Sequence, residues 1–206
     1  MQLSITKLLT LNKEKAMKKI FMMAVMAVAA LTANAQQEAG TFSIQPKAGL
    51  NVTTITGDAW KAKAGFTAGV EGMYQATEKF GVSAAVMYSM QGAKDKADSN
   101  HKLNYGYINI PILANYYVVK GLAIKAGIQP GFMVSAKAKQ GDASADIKDY
   151  CKKFDFAIPV GVSYEIANVV FDARYNIGLT KTAKGDNVEK TKNSVFQFTV
   201  GYKFGL

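Results

Sequence analysis

Apolar and polar residues alternate along most of the chain after residue 40. In the C-terminal run "NSVFQFTVGYKFGL", every second residue from Phe196 to Leu206 is apolar, and the residues between them are mostly polar or small. A period of two is typical of a β-strand whose two faces meet different surroundings. The same alternation recurs in seven further segments, so the sequence predicts an all-β protein with eight strands.

The predicted strands are long and their connections alternate in length. Each segment has at least eleven residues, whereas strands of soluble sheets usually have five or six, and a tilted strand that crosses a bilayer needs roughly nine to eleven. The short stretches "ATEK", "VVKG" and "EIANV" join three strand pairs, and longer stretches join the others. This layout predicts an eight-stranded antiparallel up-and-down transmembrane β-barrel with both chain ends in the periplasm.

On the apolar face of the predicted strands, aromatic residues lie near both strand ends. Aromatic rings prefer the two interfaces of a membrane, so we expect two girdles at matching depth. The periplasmic girdle would contain Phe42, Tyr74, Phe80, Tyr116, Tyr164, Phe171, Tyr202 and Phe204. The outer girdle would contain Phe66, Tyr88, Phe132, Phe154, Phe156, Tyr175 and Phe196.

The opposite face of each predicted strand carries charged and polar residues, and the barrel would enclose them. Eight strands leave an interior just wide enough for side chains, so charges buried there must pair or be hydrated. We predict a salt-bridged polar core around Arg174 instead of an open pore; a proton or ion path is the alternative. The predicted lumen charge network contains Lys47, Glu71, Lys125, Asp155, Glu165, Asp172, Arg174 and Lys203.

The alternation makes two further predictions about single positions. In the fifth strand, unbroken alternation places Ala136 on the lipid side and Lys137 on the lumen side. Four prolines also fall within the predicted strands, where a closed barrel has no free edge to accommodate a missing N–H group. We therefore expect bulges or frayed strand ends at Pro46, Pro111, Pro130 and Pro159.

The N-terminal region contains the three consecutive parts of an export signal. Residues 17–36 read "MKKIFMMAVMAVAALTANAQ", in which two lysines precede a twelve-residue apolar run and the small-residue site Ala33-Asn34-Ala35. That run is shorter than the roughly twenty residues that a membrane-spanning helix needs. We expect residues 1–35 to be a cleaved signal peptide that starts at Met17, and residues 36–206 to be the barrel domain. A retained amphipathic or membrane helix is the alternative.

The charge of the expected mature chain is modest and lies mainly in its long loops. Without residues 1–35, 20 basic and 14 acidic residues give a net charge of +6, which is not the clustered excess of a nucleic-acid-binding protein. Loop lysines such as Lys61, Lys94, Lys152 and Lys190 would form a basic outer rim facing the phosphates of lipopolysaccharide. Ordinary solubilising charge is the alternative explanation.

Residues able to carry out catalysis are sparse. His101 is the only histidine, in the predicted second loop with Ser99, so a lipid-modifying hydrolase is a minor alternative to a solvated loop. Asp142, Asp146 and Asp149 of the third loop lack the spacing of a known calcium loop. Cys151 has no partner cysteine for a disulfide. We expect no enzyme activity, no cofactor and no metal.

Four runs in order behind the signal carry a family resemblance: "PKAGLNVT", "YINIPILANYYVVKGLAIKAGIQPGF", "FDARYNIGLT" and "VFQFTVGYKF". With these runs, the chain resembles the PorT-like, or porin-family, outer-membrane β-barrel proteins. The resemblance implies a small eight-stranded barrel in the outer membrane, with envelope or secretion-system proteins as further partners. The C-terminal apolar stripe also resembles the signal that the barrel-insertion machinery reads, although Phe204 is followed by two more residues.

Three functions are consistent with this sequence. The favoured one is a monomeric, non-enzymatic outer-membrane barrel with a structural or surface-interaction role through its extracellular loops. The second is a small porin or transporter that passes ions or small solutes. The third is a soluble secreted barrel that carries a ligand and whose strands turn their apolar face inward.

Overall fold

Antiparallel strands wind around one cylinder in the computed structural model, which describes residues 38–55, 60–98, 101–141, 143–181 and 192–206. The strands within these ranges are β1 (Phe42–Ile55), β2 (Trp60–Lys61), β3 (Lys63–Gln75), β4 (Phe80–Asp95), β5 (His101–Asn109), β6 (Ile112–Val119), β7 (Leu122–Gln140), β8 (Ala143–Asp146), β9 (Phe154–Ile166), β10 (Val169–Lys181), β11 (Lys192–Tyr202) and β12 (Phe204–Gly205).

The barrel closes because the first strand pairs with the last. Strand β1 is hydrogen-bonded to β11 from Lys47–Gly201 to Ile55–Asn193, and on its other side to β3. Short interruptions divide single barrel strands into β2 and β3, β5 and β6, and β11 and β12, while β8 pairs only with β7 at the outer end. Eight antiparallel strands therefore form the wall, and the predicted fold is confirmed.

The connections differ in length at the two ends of the barrel, but less than the sequence suggested. The turns at the predicted periplasmic end are short: residues 76–79, 120–121 and 167–168 separate the strands that they join. At Gly121 the backbone adopts a φ of 76°, and a Cβ atom there would lie 2.5 Å from the carbonyl oxygen of Glu165. At the outer end β4 and β5 continue to pair up to Lys94 and Lys102, so their connection is shorter than predicted.

The two faces of the wall differ as the alternation predicted. Large apolar side chains cover the outside, where Val70 and Val86 are 50% and 57% exposed. Polar side chains point inward, where Asn51 and Thr53 are fully buried. An apolar surface of this kind around a polar interior is the arrangement of a barrel that stands in lipid.

A β-bulge in β7 overturns two of the orientation predictions. Gly106 of β5 is opposite Ser135, but the next residue, Tyr107, is opposite Met133. Val134 is therefore an extra residue, and the alternation restarts after it. Ala136, predicted to face lipid, is fully buried, and Lys137, predicted to face the lumen, is exposed.

Strand pairing lapses on one side at each proline, but the register does not shift there. Pro111 lies in the interruption between β5 and β6, and that interruption faces Pro130 of β7. The pairing of β1 skips Pro46 opposite the interruption between β11 and β12, and the pairing of β7 with β9 skips Pro159. On their other sides β1 and β9 stay paired through Pro46 and Pro159, which lie opposite Val70 and Asn176. The predicted local irregularities are therefore present, as gaps in pairing and not as bulges.

Helical structure is minimal in the described part of the chain. A single 3-10 turn spans Lys148–Tyr150, and no helix there is long and apolar enough to cross a membrane. The predicted signal peptide, residues 1–35, lies outside the described residues and stays a prediction.

Candidate functional site

Five charged side chains meet at the centre of the barrel. Lys47 of β1, Glu71 of β3, Lys125 of β7, and Asp172 and Arg174 of β10 each face inward and are at least 96% buried. The Nζ atom of Lys47 lies 2.8 Å from Glu71, and the Nζ atom of Lys125 lies 3.2 Å from Glu71 and 2.8 Å from Asp172. The Nε atom of Arg174 lies 2.7 Å from Oδ1 of Asp172. We call these five residues the charged layer.

Lys125, and not Arg174, is the centre of the charged layer. Its ammonium group bridges both carboxylates, while Arg174 makes its ion pair with Asp172 alone among the described residues. Both terminal guanidinium nitrogens of Arg174 are buried without a hydrogen-bond acceptor in the described part of the chain. Gly161 gives the arginine room, because a Cβ atom at that position would lie 2.6 Å from Cγ of Arg174.

The other three predicted lumen charges lie elsewhere along the interior. Lys203 and Glu165 form an ion pair of 2.9 Å, and both are partly exposed. Asp155 accepts a hydrogen bond from the Thr180 hydroxyl group, which in turn accepts one from the backbone N–H of Phe156. Within the described residues, the ion pairs of the structure thus place five of the eight predicted residues in one cluster.

Uncharged polar side chains fill the interior outward of the charged layer. The side-chain amide of Asn51 donates to the Ser89 hydroxyl group over 2.8 Å, and that of Gln91 donates to the same oxygen over 3.0 Å. Between the neighbouring strands β10 and β11, Asn176 donates to Gln197 over 3.2 Å. Amide and hydroxyl groups therefore bond to one another in this region, while the side-chain oxygens of Asn51, Gln91 and Asn176 accept no hydrogen bond in the described part of the chain.

An apolar cluster occupies the outer part of the interior, and sequence reasoning missed it. The buried members of this cluster, which we call the apolar plug, are Ala93, Tyr105, Tyr107, Met133, Ala136 and Cys151, with Trp60, Leu103 and Ile147 packed against them. Tyr107 accepts a 3.4 Å hydrogen bond from Asn193 and so joins the plug to the polar side chains below. The sequence did contain a signal for the apolar plug. Two large aromatic residues, Tyr105 and Tyr107, occupy the face of their strand that is otherwise polar.

Little free space remains around the charged layer. The cavity that borders Glu71 and Lys125 at the periplasmic end measures about 10 Å³, which is room for about one water molecule. Asn115, also in its lining, donates to Ser83 over 3.1 Å. At the level of the charged layer, side chains of the described residues therefore fill the interior, as eight-stranded barrels of this width allow.

The predicted girdle aromatics lie on the outside and pair across strands. Phe42 and Tyr74 stand opposite each other near the periplasmic end, with ring centroids 5.7 Å apart. Three pairs lie toward the outer end: Phe66 with Tyr88, Phe132 with Phe154, and Tyr175 with Phe196, with centroids 5.5 Å, 5.6 Å and 6.0 Å apart. Phe80–Tyr116 and Tyr164–Phe171 are also directly opposite one another in the sheet.

The residues considered for catalysis do not form an active site in the described part of the chain. His101 is exposed at the start of β5, and Ser99 and Asp142 lie outside the described residues. Asp146 accepts a hydrogen bond from the backbone of Lys148, and Cys151 belongs to the apolar plug. No group of three or more histidine, cysteine, aspartate or glutamate side chains lies close enough to hold a metal ion among these residues.

Comparisons with known proteins agree with the geometry. The family model described as "Outer membrane protein beta-barrel domain" matches residues 34–184, while no curated protein sequence matches the chain. The crystal structure of Ail, the attachment invasion locus protein of Yersinia pestis, is similar with a TM-score of 0.51 and 17% identity, over 81% of this chain and 100% of that one. Neisserial surface protein A (NspA) is similar with a TM-score of 0.53 and 17% identity, over 79% and 97%. At such identity the likeness concerns the fold alone.

Proposed function

We infer the function from one premise: the chain belongs to the outer membrane protein β-barrel domain family. It is an integral protein of the outer membrane. We propose that its barrel is sealed and non-enzymatic, and that it acts through the surface that it presents outside the cell, in a structural or surface-interaction role.

The observation that carries this proposal is the filled interior. The charged layer, the amide and hydroxyl groups outward of it and the apolar plug follow one another along the barrel axis. A solute would have to displace buried ion pairs and then pass an apolar region, and charged groups pay a large desolvation cost in such surroundings. The interior therefore supports the wall, and the outer surface is left to interact.

The second candidate function is a small porin. Its favouring observation is that the charged layer holds three cations against two carboxylates. An excess positive charge inside a pore attracts anions and repels cations. If the lumen opened, the pore would therefore prefer anions.

Planar bilayer recording separates the two functions. We expect no discrete conductance steps from the purified, heat-modifiable barrel. A control variant, Y107A/K125A/R174A, removes large side chains from both the apolar plug and the charged layer; if it migrates as a folded barrel, it should conduct. Steps from the wild-type barrel with anion preference would overturn the sealed-barrel proposal and establish the porin.

The finer family assignment and the partners are also proposals. We propose that the chain is PorT-like, which rests on the four sequence runs noted above, and that the barrel-insertion machinery delivers it as a monomer. Its partners would be outer-membrane lipid, including lipopolysaccharide, and envelope or secretion-system proteins. Cross-linking in intact cells through cysteines introduced at exposed outer positions such as Asp146 and Lys153 tests for such protein partners. Capture of a defined envelope protein would support the surface role, and capture of lipid alone would contradict the protein partner.

A further inference from the structure

Four lysines form a row across the outer ends of neighbouring strands. Lys61 of β2 is directly opposite Lys94 of β4, Lys94 is opposite Lys102 of β5, and Lys102 is opposite Lys139 of β7. Directly opposite residues have Cβ atoms roughly 5 Å apart, and like charges in that position are destabilising. We call these four residues the lysine row.

The lysine row lies on the outside of the barrel. Ala93, Leu103 and Ala136, which neighbour row residues at odd spacing along their strands, belong to the apolar plug or pack against it. Because successive residues of a strand alternate between the faces, Lys94, Lys102 and Lys139 point outward. Lys61 and Lys139 are exposed, and Lys94 and Lys102 are partly exposed.

Nearby carboxylates form no ion pair with the row in the described part of the chain. Asp95, next to Lys94, uses its carboxylate to accept from the backbone of Ala97 over 2.7 Å. A fifth lysine, Lys63, is nearly buried, donates to Asn104, and is repelled by the charges of Lys94, Lys102 and Lys139.

A groove connects the lysine row with the lipid-facing wall. It has a volume of about 480 Å³ and is lined by Tyr88 and Met90 at its lower end and by Lys137 and Lys139 at its upper end. The groove exists in part because Gly106 has no side chain: a Cβ atom there would lie 2.9 Å from the hydroxyl oxygen of Tyr88. An apolar lower end with cations above it fits a ligand that has an acyl part and an anionic head.

The height of the row indicates which lipid it meets. Lys94 follows Tyr88 of the outer aromatic pairs by six residues, and Lys139 follows Phe132 by seven. At about 3.3 Å per residue and a tilt near 40°, the row stands roughly 15 Å above those rings. A phosphorylated saccharide head that extends well above the acyl chains reaches this level, whereas an ordinary phospholipid head lies lower.

We propose that the lysine row and the groove below it form a binding site for the phosphate groups of lipopolysaccharide. The phosphates would sit between opposed ammonium groups and remove the repulsion that the strand register imposes, through charge-assisted hydrogen bonds. The acyl part would lie against Tyr88 and Met90. This inference rests on the proposed surface role and assigns a binding site to the lipopolysaccharide named there.

Binding of lipopolysaccharide by the purified barrel in detergent tests the site. The test variant is K94Q/K102Q, which removes the two central lysines of the row. The control variant, K79Q/K120Q, removes the same charge from exposed lysines in the turns at the opposite end of the barrel. Heat-modifiable gel migration checks that each variant is folded, and calorimetry measures binding of rough lipopolysaccharide, its dephosphorylated form, phosphatidylglycerol and inorganic phosphate.

We expect the test variant to bind lipopolysaccharide at least tenfold more weakly than the wild type, and the control variant to bind as the wild type does. Removing the phosphates should weaken wild-type binding to the level of the test variant. If both variants lost the same amount of affinity for lipopolysaccharide, general charge attraction would explain the binding and the proposed site would be overturned. Equal affinity for phosphatidylglycerol or inorganic phosphate would overturn the assignment to lipopolysaccharide. None of these outcomes bears on conductance, so the sealed-barrel proposal stands or fails separately.

Discussion

At the scale of single residues, the balance of charge in the charged layer determines how much stability the barrel loses when one of these side chains is replaced. Three cations surround two carboxylates, and every member is almost fully buried. Breaking a buried pair by removing one partner is costly, because an uncompensated charge is left behind. Loss of a carboxylate raises the excess to two positive charges, whereas loss of one lysine removes the excess.

Two substitutions test this balance. We expect Asp172→Asn to destabilise the barrel by about 3–5 kcal/mol, because Lys125 and Arg174 both lose their contact with its charge. Lys125→Met should cost less, because the remaining pairs, Lys47 with Glu71 and Arg174 with Asp172, balance each other. Urea unfolding in detergent micelles measures both changes.

The matched control is Glu78→Gln in the exposed periplasmic turn, which should change the free energy of unfolding by less than about 0.5 kcal/mol. Equal costs for Asp172→Asn and Lys125→Met would contradict the argument from charge balance.

At the scale of strands, the β7 bulge determines which side chains face outward at the outer end of the barrel. Without the extra residue Val134, unbroken alternation would carry Lys137 and Lys139 into the lumen and Ala136 out of it. The bulge reverses this, so that alanine fills the apolar plug and the lysines face outward. One extra residue therefore provides both the plug and the upper end of the groove.

Cysteine labelling tests the orientation after the bulge. In a Cys151→Ala background, Lys137→Cys should react with a water-soluble maleimide at least tenfold faster than Ala136→Cys, since the first side chain is exposed and the second is fully buried. The labelling rate is followed by mass spectrometry on the folded barrel. The reverse order would mean that β7 alternates without a bulge.

Much of this wall was predictable from sequence, because a period of two assigns each residue to a face once the strand is known. The inward position of Lys47, Glu71 and Lys125 could be read in this way. The bulge at Val134 could not, since it depends on how β5 and β7 pair across the sheet. Likewise, the opposition of Lys94 and Lys102 follows from strand register, which alternation within a single strand does not determine.

At the scale of the whole molecule, the barrel turns its apolar side outward. A protein that stood in water would bury residues such as Val70, Val86 and Val160, yet they are 50%, 57% and 41% exposed. The charged layer occupies the place where a soluble barrel would keep its apolar core. This inversion is stable only where lipid replaces water around the wall.

Site-directed spin labelling at Val70, Val86 and Val160 in reconstituted bilayers tests this orientation most directly, with labels at Asp146 and Lys153 on the exposed outer end as aqueous controls. We predict that the three valine sites collide readily with dissolved oxygen and hardly at all with a water-soluble nickel complex, and that the controls show the opposite. Strong nickel collisions at the valine sites, or protection from both reagents, would contradict a barrel whose apolar face meets lipid.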